Sequence, residues 1–356
     1  MRVVQIIDSL EAGGAERMAL NYANSLAEKI SFSGLIATRK EGTLKDEIDS
    51  KVSYLFLDKK KKIDFRAVFR LRKYITKNKV DIIHAHSSSF FTAVLVKLTL
   101  PAIKIIWHDH YGTRAKESKK ENRILILLSV FFSSIFVVNL QLEEWSKKNM
   151  KCSKVFFIPN FTTSEAKTEK VTHLKGNDGK RIVFLANLKN PKNHISILKA
   201  FSELKLNEQG WSLHLIGRDY FDNYSNEIKI YIKNYSLEND IYLYGAKNDV
   251  RYILSQASIG VLASTEEGFP VTLLEYGLEK LAVLSTSAGY CSMIIQDGIN
   301  GLLFDPFADE EIKSQLNKMI NDALLREKVS QNFRQSIMKN YSEEIVIKTL
   351  ILAYTN

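Results

Sequence analysis

The feature that most constrains this chain is a strict alternation of short apolar runs and helical patterns, which occurs twice. "VVQIID" precedes the helical "AERMALNYANSLAEK". "FSGLIAT" and "YLFL" precede "FRAVFRLRKYITKN". "VDIIHAH", "IKIIWHDH", "IFVVN" and "KVFFIPN" then follow, mostly separated by helical stretches. Short β-rich runs spaced by helices pair in parallel, because a parallel connection needs a crossover long enough to hold a helix. A polar, aperiodic stretch, "FTTSEAKTEKVTHLKGNDGK", interrupts the series at 161–180 and reads as a linker. The alternation restarts at "RIVFLANL" and continues through "WSLHLIG", "IYLYG", "IGVLAS" and "LAVLST".

The expected fold is therefore α/β, with two doubly wound Rossmann-like domains facing each other across a cleft. Residues 1–160 would form the first domain, 161–180 the linker and 181–335 the second. A C-terminal helix, 336–356, would cross back to the first. At 356 residues the chain is long for one core, which agrees with two domains. Ligands bind open sheets of this kind beyond the carboxyl ends of the strands.

Cys152 and Cys291 are the only cysteines and lie far apart, which suits a reducing cytoplasm and neither a disulfide framework nor a zinc site. "MRVVQII" turns polar at Asp8, too soon for a secretory signal. "ILILLSVFFSSIFVV" (124–138) is too short for a membrane span and reads as a buried helix followed by a strand. The charge is uneven: residues 1–160 carry 28 Lys and Arg against 16 Asp and Glu, whereas the remainder is slightly acidic. That asymmetry suits an anionic partner of the first half, or simply a solubilising surface.

Residues 264–304, "STEEGFPVTLLEYGLEKLAVLSTSAGYCSMIIQDGINGLLF", are the most informative stretch. Glu267 and Glu275 lie eight apart, one before a helix start and one about two turns inside it. Carboxylates accept hydrogen bonds from vicinal hydroxyls, and a helix N-terminus offers unpaired N–H groups to phosphate. The stretch resembles the two-glutamate signature of retaining glycosyltransferases of family 4, which have the GT-B fold. "GGAER", "DIIHAH", "VFFIPN" and the basic loop after the second domain's first strand extend the resemblance over nearly the whole chain.

The resemblance implies that Glu267 and the backbone of Gly268, Phe269 and Pro270 hold the donor sugar. It implies that the amides of Val271 and Thr272 reach the diphosphate and that Glu275 binds the ribose. In "VFLANLKNPKNHISILKAF" it implies an arginine and, five residues later, a lysine that neutralise the leaving diphosphate. Lys192 matches the lysine, but Asn187 stands at the arginine position, with Lys189 near enough to supply the charge. Gly13 and Gly14 in "EAGGAER" match a glycine loop that lets a ligand approach; a turn needing positive φ is the alternative. Glu16 and Arg17 are weaker candidates.

The loop lacks the three-glycine dinucleotide pattern. In "IIWHDHYGTR" the resemblance implies a catalytic histidine touching the donor sugar, with His108 in the best register and His110 the alternative. A metal held by His108, Asp109 and His110 is the competing reading. His84 and His86 are nearer a structural or acceptor-facing role. The nucleotide base would rest on the loops bearing Gly217, Arg218, Gly245 and Lys247. No Asp-x-Asp triplet occurs, so no metal and no cofactor are expected.

Arg66, Arg70, Lys73 and Lys77 recur along one helical face after "DKKKK", with Phe65, Val68, Phe69, Leu71 and Ile75 on the other. Such a face suits an anionic membrane surface, or solvent alone; nucleic acid is not expected. The resemblance implies a cytoplasmic enzyme, peripheral on the inner face of the membrane. It would move a sugar from a nucleotide sugar, UDP rather than GDP, to a glycan or lipid-linked glycan. A nucleotide-sugar 2-epimerase of the same fold and a silent sugar- or nucleotide-binding subunit are the rivals.

Overall fold

The structure, a computed structural model, describes every residue except 12, 113, 115, 116, 163–168 and 356. The chain divides into two compact units, one of Met1–Phe161 together with the segment from Glu343, the other of Thr162–Ser342.

In the first unit the elements run β1 (Arg2–Ser9), α1 (Gly14–Leu26), β2 (Phe32–Lys40), β3 (Ser53–Phe56), α2 (Phe65–Lys77), β4 (Ile82–His86), α3 (Phe90–Lys97), β5 (Lys104–Asp109), α4 (Arg123–Leu128), β6 (Ser134–Val137), α5 (Leu140–Asn149) and β7 (Val155–Phe157). The strands pair in parallel in the order β3-β2-β1-β4-β5-β6-β7. Asp64 and Asn139 start α2 and α5 by accepting the N–H groups of Ala67 and Leu142 at 3.1 and 2.8 Å.

The second unit repeats the plan with β8 (Arg181–Leu185), α6 (His194–Glu203), β9 (Ser212–Ile216), α7 (Asn223–Asn234), β10 (Ile241–Gly245), α8 (Val250–Leu254), β11 (Ile259–Leu262), α9 (Val271–Leu278), β12 (Ala282–Thr286), α10 (Cys291–Ile294), β13 (Leu302–Phe304), α11 (Asp309–Asn321) and α12 (Ala323–Tyr341). Its parallel order is β10-β9-β8-β11-β12-β13. Both sheets thus reverse winding next to their first strand, between β1 and β4 and between β8 and β11. Loops leaving these strands form the crevice where doubly wound sheets bind ligands.

Three details differ from the expectations. The break expected at 335 falls inside α12; the returning helix is α13 (Glu343–Thr355). It buries Val346, Ile347, Leu350 and Tyr354 in one core with Met18, Tyr22, Ile106 and Phe136 of the first unit. Each buried aliphatic side chain there contributes about 1.5–3 kcal/mol.

The expected linker is held in place over part of its length. Residues 163–168 of it lie outside the described residues, but Asp249 accepts the Val171 and Thr172 N–H groups at 3.0 and 2.6 Å and fastens that part to the second unit. Lastly, "ILILLSVFF" is not a buried helix. Leu125 is buried in α4, whereas Ile124, Leu127 and Val130 are each more than half exposed. Their spacing of three keeps them together on the outer face.

Candidate active site

In the second unit, one tyrosine fixes the helix that begins at the switch point. Tyr276 is buried in α9, and its hydroxyl accepts the Leu185 N–H at 2.8 Å and donates to the Val261 carbonyl at 3.0 Å. This joins α9 to the ends of both central strands. Gly260 makes room, since a Cβ there would lie 2.6 Å from the Tyr276 ring. Pro270 precedes the helix and supplies no side-chain cap. The amides of Val271 and Thr272, in the first turn, therefore have no intrahelical acceptors, at the positive end of the helix dipole.

The two switch-point loops are tied together. Thr265 donates its N–H to the Pro191 carbonyl at 2.9 Å. Lys192 Nζ lies 2.6 Å from Glu267 Oε1, and the two side chains are 24% and 10% exposed. The pair brings together two residues that lie 75 positions apart in sequence.

Behind Glu267, Gly289 has φ +61°, and a Cβ there would meet the Glu267 carbonyl oxygen at 1.8 Å. Phe269 stacks on Tyr290 with centroids 5.3 Å apart and meets Tyr341 edge-on at 5.6 Å. Burial, and then the nearby Glu267 carboxylate, push the Cys291 thiol far above its ordinary range, so it is an inert neighbour. Gly268 and Glu275 are partly buried, Glu275 in the second turn of α9.

Asn187 does not act as a missing arginine. Its Oδ1 accepts the Arg218 N–H at 2.9 Å, linking the loops after β8 and β9. Through that link Arg218 comes beside the loop: its guanidinium and Lys189 Nζ lie 5.0 and 5.9 Å from the centroid of the same Tyr220 ring. Gly217 donates its N–H to the Gly245 carbonyl at 3.0 Å. A Cβ on Gly217 would lie 2.0 Å from the Ala186 carbonyl oxygen, so glycine is required there by packing. Lys247 is exposed just past β10.

In the first unit, the glycine loop does not need positive φ. Gly13 is extended at φ −148°, and a Cβ on Gly14 would meet nothing within 4 Å among the described residues. The backbone is thus open at Gly14, whereas a Cβ on Gly13 would lie 2.3 Å from the Glu16 carboxylate. Arg17 is paired with Glu47 on the surface.

Strand registers bring Gln5 beside His84 and His86 beside His108. Alternation then puts Gln5, His84, His86, His108 and His110 on one face, under Tyr22 of α1 and Tyr354 of α13. His84 Nδ1 lies 2.7 Å from the Tyr354 hydroxyl, and its Nε2 lies 3.1 Å from His108 Nδ1. His86 Nε2 lies 2.8 Å from Gln5 Oε1, and its Nδ1 lies 2.9 Å from His110 Nε2. Burial holds all four rings below their ordinary pKa, His110 at about 3, so all are neutral near pH 7.

His108 is fully buried and His110 half-buried at the strand end. His108, Asp109 and His110 do not converge as a ligand set, because the Asp109 carboxylate faces Arg114 Nε at 2.5 Å. The histidines that do converge are His84, His86 and His108, with ring nitrogens within 4.8 Å of one another. No local pattern marks Gln5, Tyr354, Tyr276 or Thr265 as organisers. Each acts across a long sequence separation, on the backbone or on a ring.

The basic helix α2 is sided differently from the expectation. Ala67, Val68, Leu71 and Ile75 are buried, but Phe65 and Phe69 are 72% and 66% exposed and share the outer surface with Arg66, Lys73 and Lys77. Arg70 and Arg72 are both exposed, but Arg70 reaches back to the Leu57 carbonyl. No helix among the described residues is long and apolar enough to cross a membrane.

Comparison with known proteins agrees with this geometry. The model of the Glycosyltransferase Family 4 domain matches residues 12–165, and that of the Glycosyl transferases group 1 domain matches residues 165–336. A Campylobacter jejuni protein, GalNAc-alpha-(1->4)-GalNAc-alpha-(1->3)-diNAcBac-PP-undecaprenol alpha-1,4-N-acetyl-D-galactosaminyltransferase, is 24% identical over 94% of this chain and 93% of its own. An Escherichia coli UDP-Gal:alpha-D-GlcNAc-diphosphoundecaprenol alpha-1,3-galactosyltransferase is 23% identical over 92% and 90%. Among solved structures, Anabaena Alr3699/HepE in complex with UDP and glucose superposes with a TM-score of 0.83 at 15% identity, over 100% of this chain and 99% of that one. With two adjoining matches laid over two sheets of this order, the chain belongs to the group 1 glycosyl transferases and has the GT-B fold.

Proposed function

We propose that this glycosyltransferase moves a sugar, with retention of anomeric configuration, from a UDP-sugar to a lipid-linked glycan in the assembly of a cell-surface polysaccharide. The observation that carries the proposal is the Lys192–Glu267 pair, held at the second unit's switch point beside the uncapped start of α9. A carboxylate there accepts sugar hydroxyls. The lysine, the amides of Val271 and Thr272, and the cations Lys189 and Arg218 offer positive charge to a leaving diphosphate. Charge placed in this way substitutes for a metal ion, so transfer proceeds without one. Retention then follows from attack on the face the diphosphate leaves, with the diphosphate taking the acceptor's proton. The UDP preference and the lipid-linked acceptor draw their support from the UDP-containing neighbour and from the acceptors named for the two bacterial relatives.

The test is donor binding. Glu275→Ala removes a carboxylate that accepts ribose hydroxyls, and a hydrogen bond to a charged group contributes roughly 1.5–3 kcal/mol. Calorimetric titration with UDP should therefore show affinity reduced about tenfold or more, with GDP binding the parent more weakly than UDP. Unchanged UDP affinity in the variant would reject the ribose role. Activity should also survive EDTA; complete loss, restored by manganese or zinc, would instead point to a metal at His84, His86 and His108.

The lipid-linked acceptor brings the enzyme to a membrane face, and α2 is suited to it. Exposed Phe65 and Phe69 beside the exposed cations Arg66, Arg72, Lys73 and Lys77 match an anionic interface, where each cation contributes about 1 kcal/mol. Reversing Arg66, Arg72, Lys73 and Lys77 to glutamate should abolish sedimentation with anionic vesicles at low salt. Turnover of a soluble acceptor should stay near normal. A parent that never sediments, or a variant that still does, would remove α2 from the proposal.

A further inference from the structure

The histidine network of the first unit has one junction. The Gln5 side chain has a single amide, with Oε1 2.8 Å from His86 Nε2 and Nε2 3.4 Å from the Tyr354 hydroxyl. From that junction run two relays, one through His86 to His110 and one through Tyr354 and His84 to His108.

Each neutral imidazole has one N–H and one lone pair, so a bond at one nitrogen fixes the other. The Gln5 oxygen can only accept, so His86 Nε2 donates and its Nδ1 accepts from His110 Nε2. His110 Nδ1 is left with a lone pair. The Gln5 nitrogen can only donate, so the Tyr354 hydroxyl accepts from it and donates to His84 Nδ1. His84 Nε2 then donates to His108 Nδ1, and His108 Nε2 is left with an N–H. Turning the amide over would invert both relays together and keep their ends opposite.

Both ends are under-satisfied. His108 Nε2 and His110 Nδ1 are buried without a well-formed hydrogen bond, the backbone of Ile158 approaching the His108 ring but making none of good geometry, while the two ring centroids lie only 4.1 Å apart. Buried polar atoms without partners are rare and mark either a ligand or a strained site. His108 lies in the strand that ends at the first unit's carboxyl edge, and His110 is the first residue past its end.

We propose that Gln5 is a positioning residue whose one amide sets the hydrogen-bond sense of both relays, so that His108 Nε2 and His110 Nδ1 stand side by side as one donor and one acceptor, a pair matched to a single hydroxyl of a carbohydrate. A hydroxyl both accepts and donates; an ether oxygen or a carboxylate does not. The carbohydrate as ligand rests on the transferase reading given above, whereas the relay itself does not.

Long-range proton–nitrogen correlation spectra of the full chain labelled with nitrogen-15 histidine read each tautomer directly. At neutral pH the parent should show His84, His86, His108 and His110 all protonated at Nε2. Gln5→Met, of similar size, should leave both relays mixed. Tyr354→Phe should mix only His84 and His108 and leave His86 and His110 as in the parent. A relay free to adopt both senses is competent about half the time. Whether one relay is free, as in Tyr354→Phe, or both, as in Gln5→Met, the two ends stand opposite about half the time, so the Michaelis constant for the sugar substrate should rise about twofold in each variant, with kcat unchanged.

Opposite tautomers in the two relays of the parent, or a single tautomer surviving in Gln5→Met, would overturn the relay. If Gln5→Met does not fold, Tyr354→Phe still decides, because an effect reaching His86 and His110 contradicts the order of the junction. Mixed tautomers with an unchanged Michaelis constant would overturn the hydroxyl assignment. A parent that transfers no sugar would overturn the transferase reading and leave the tautomer result standing.

Discussion

Lys192→Ala is expected to lower kcat by about 10²–10³-fold, the usual cost of removing one preorganised charge that stabilises a transition state. The cation is placed by the turn 187–192, where Lys192 donates its N–H to the Lys189 carbonyl at 3.0 Å, and by the Thr265–Pro191 bond between the two loops. Its loss also strands Glu267, whose side chain is only 10% exposed. Lys192 itself is a quarter exposed, so the stability lost should fall below the ~3–5 kcal/mol typical of breaking a fully buried pair. Lys192→Arg keeps the charge but changes the point-like ammonium into a planar fork, and should recover activity only in part. Single-turnover rates separate chemistry from binding. A Lys192→Ala enzyme within threefold of the parent would remove the lysine from the reaction.

Gly289→Ala should be nearly as damaging, although residue 289 carries no reacting group. At φ +61° an L-residue is strained, and the new Cβ would fall 1.8 Å from the Glu267 carbonyl oxygen. Strain of this type costs about 1–3 kcal/mol, and each kcal/mol lowers Tm by about 2–4 °C in a unit of 150–250 residues. The backbone that must yield is that of Glu267, and misplacing a catalytic group by about 1 Å costs on the order of 10²-fold in rate. Gly298→Ala is the control. Its φ is +70°, but a Cβ there meets nothing within 4 Å. It should lose a few degrees of Tm and keep its activity. Equal activity losses in the two variants would show that strain alone, and not displacement of Glu267, is responsible.

The sequence displays what is periodic and hides what is distant. The strand runs and the Glu267-to-Glu275 spacing were legible because side-chain alternation and helix starts are local. The outer faces of α2 and α4 were not. Phe65 and Ile124 are apolar whichever side they take, and packing against the sheet, not composition, chooses Val68 and Leu125 for burial. Asn187 looked like a defect in a basic loop because its partner, the Arg218 amide, lies 31 residues away. Nothing local marks Gln5 within its apolar strand, because its partner Tyr354 is 349 residues distant.

That last separation bears on how the molecule is made. A ribosome that has finished Phe161 has synthesised every strand of the first sheet, yet not the helix that covers Tyr22 and Phe136. Residues 162–342 must come next, which at roughly 5–20 residues per second takes about ten to forty seconds. Throughout that interval the first unit presents an open apolar face, a surface for chaperones to hold. The second unit has all its elements in one continuous stretch and can close while the first still waits. The first unit's core is therefore closed only after the whole of the second unit has been made.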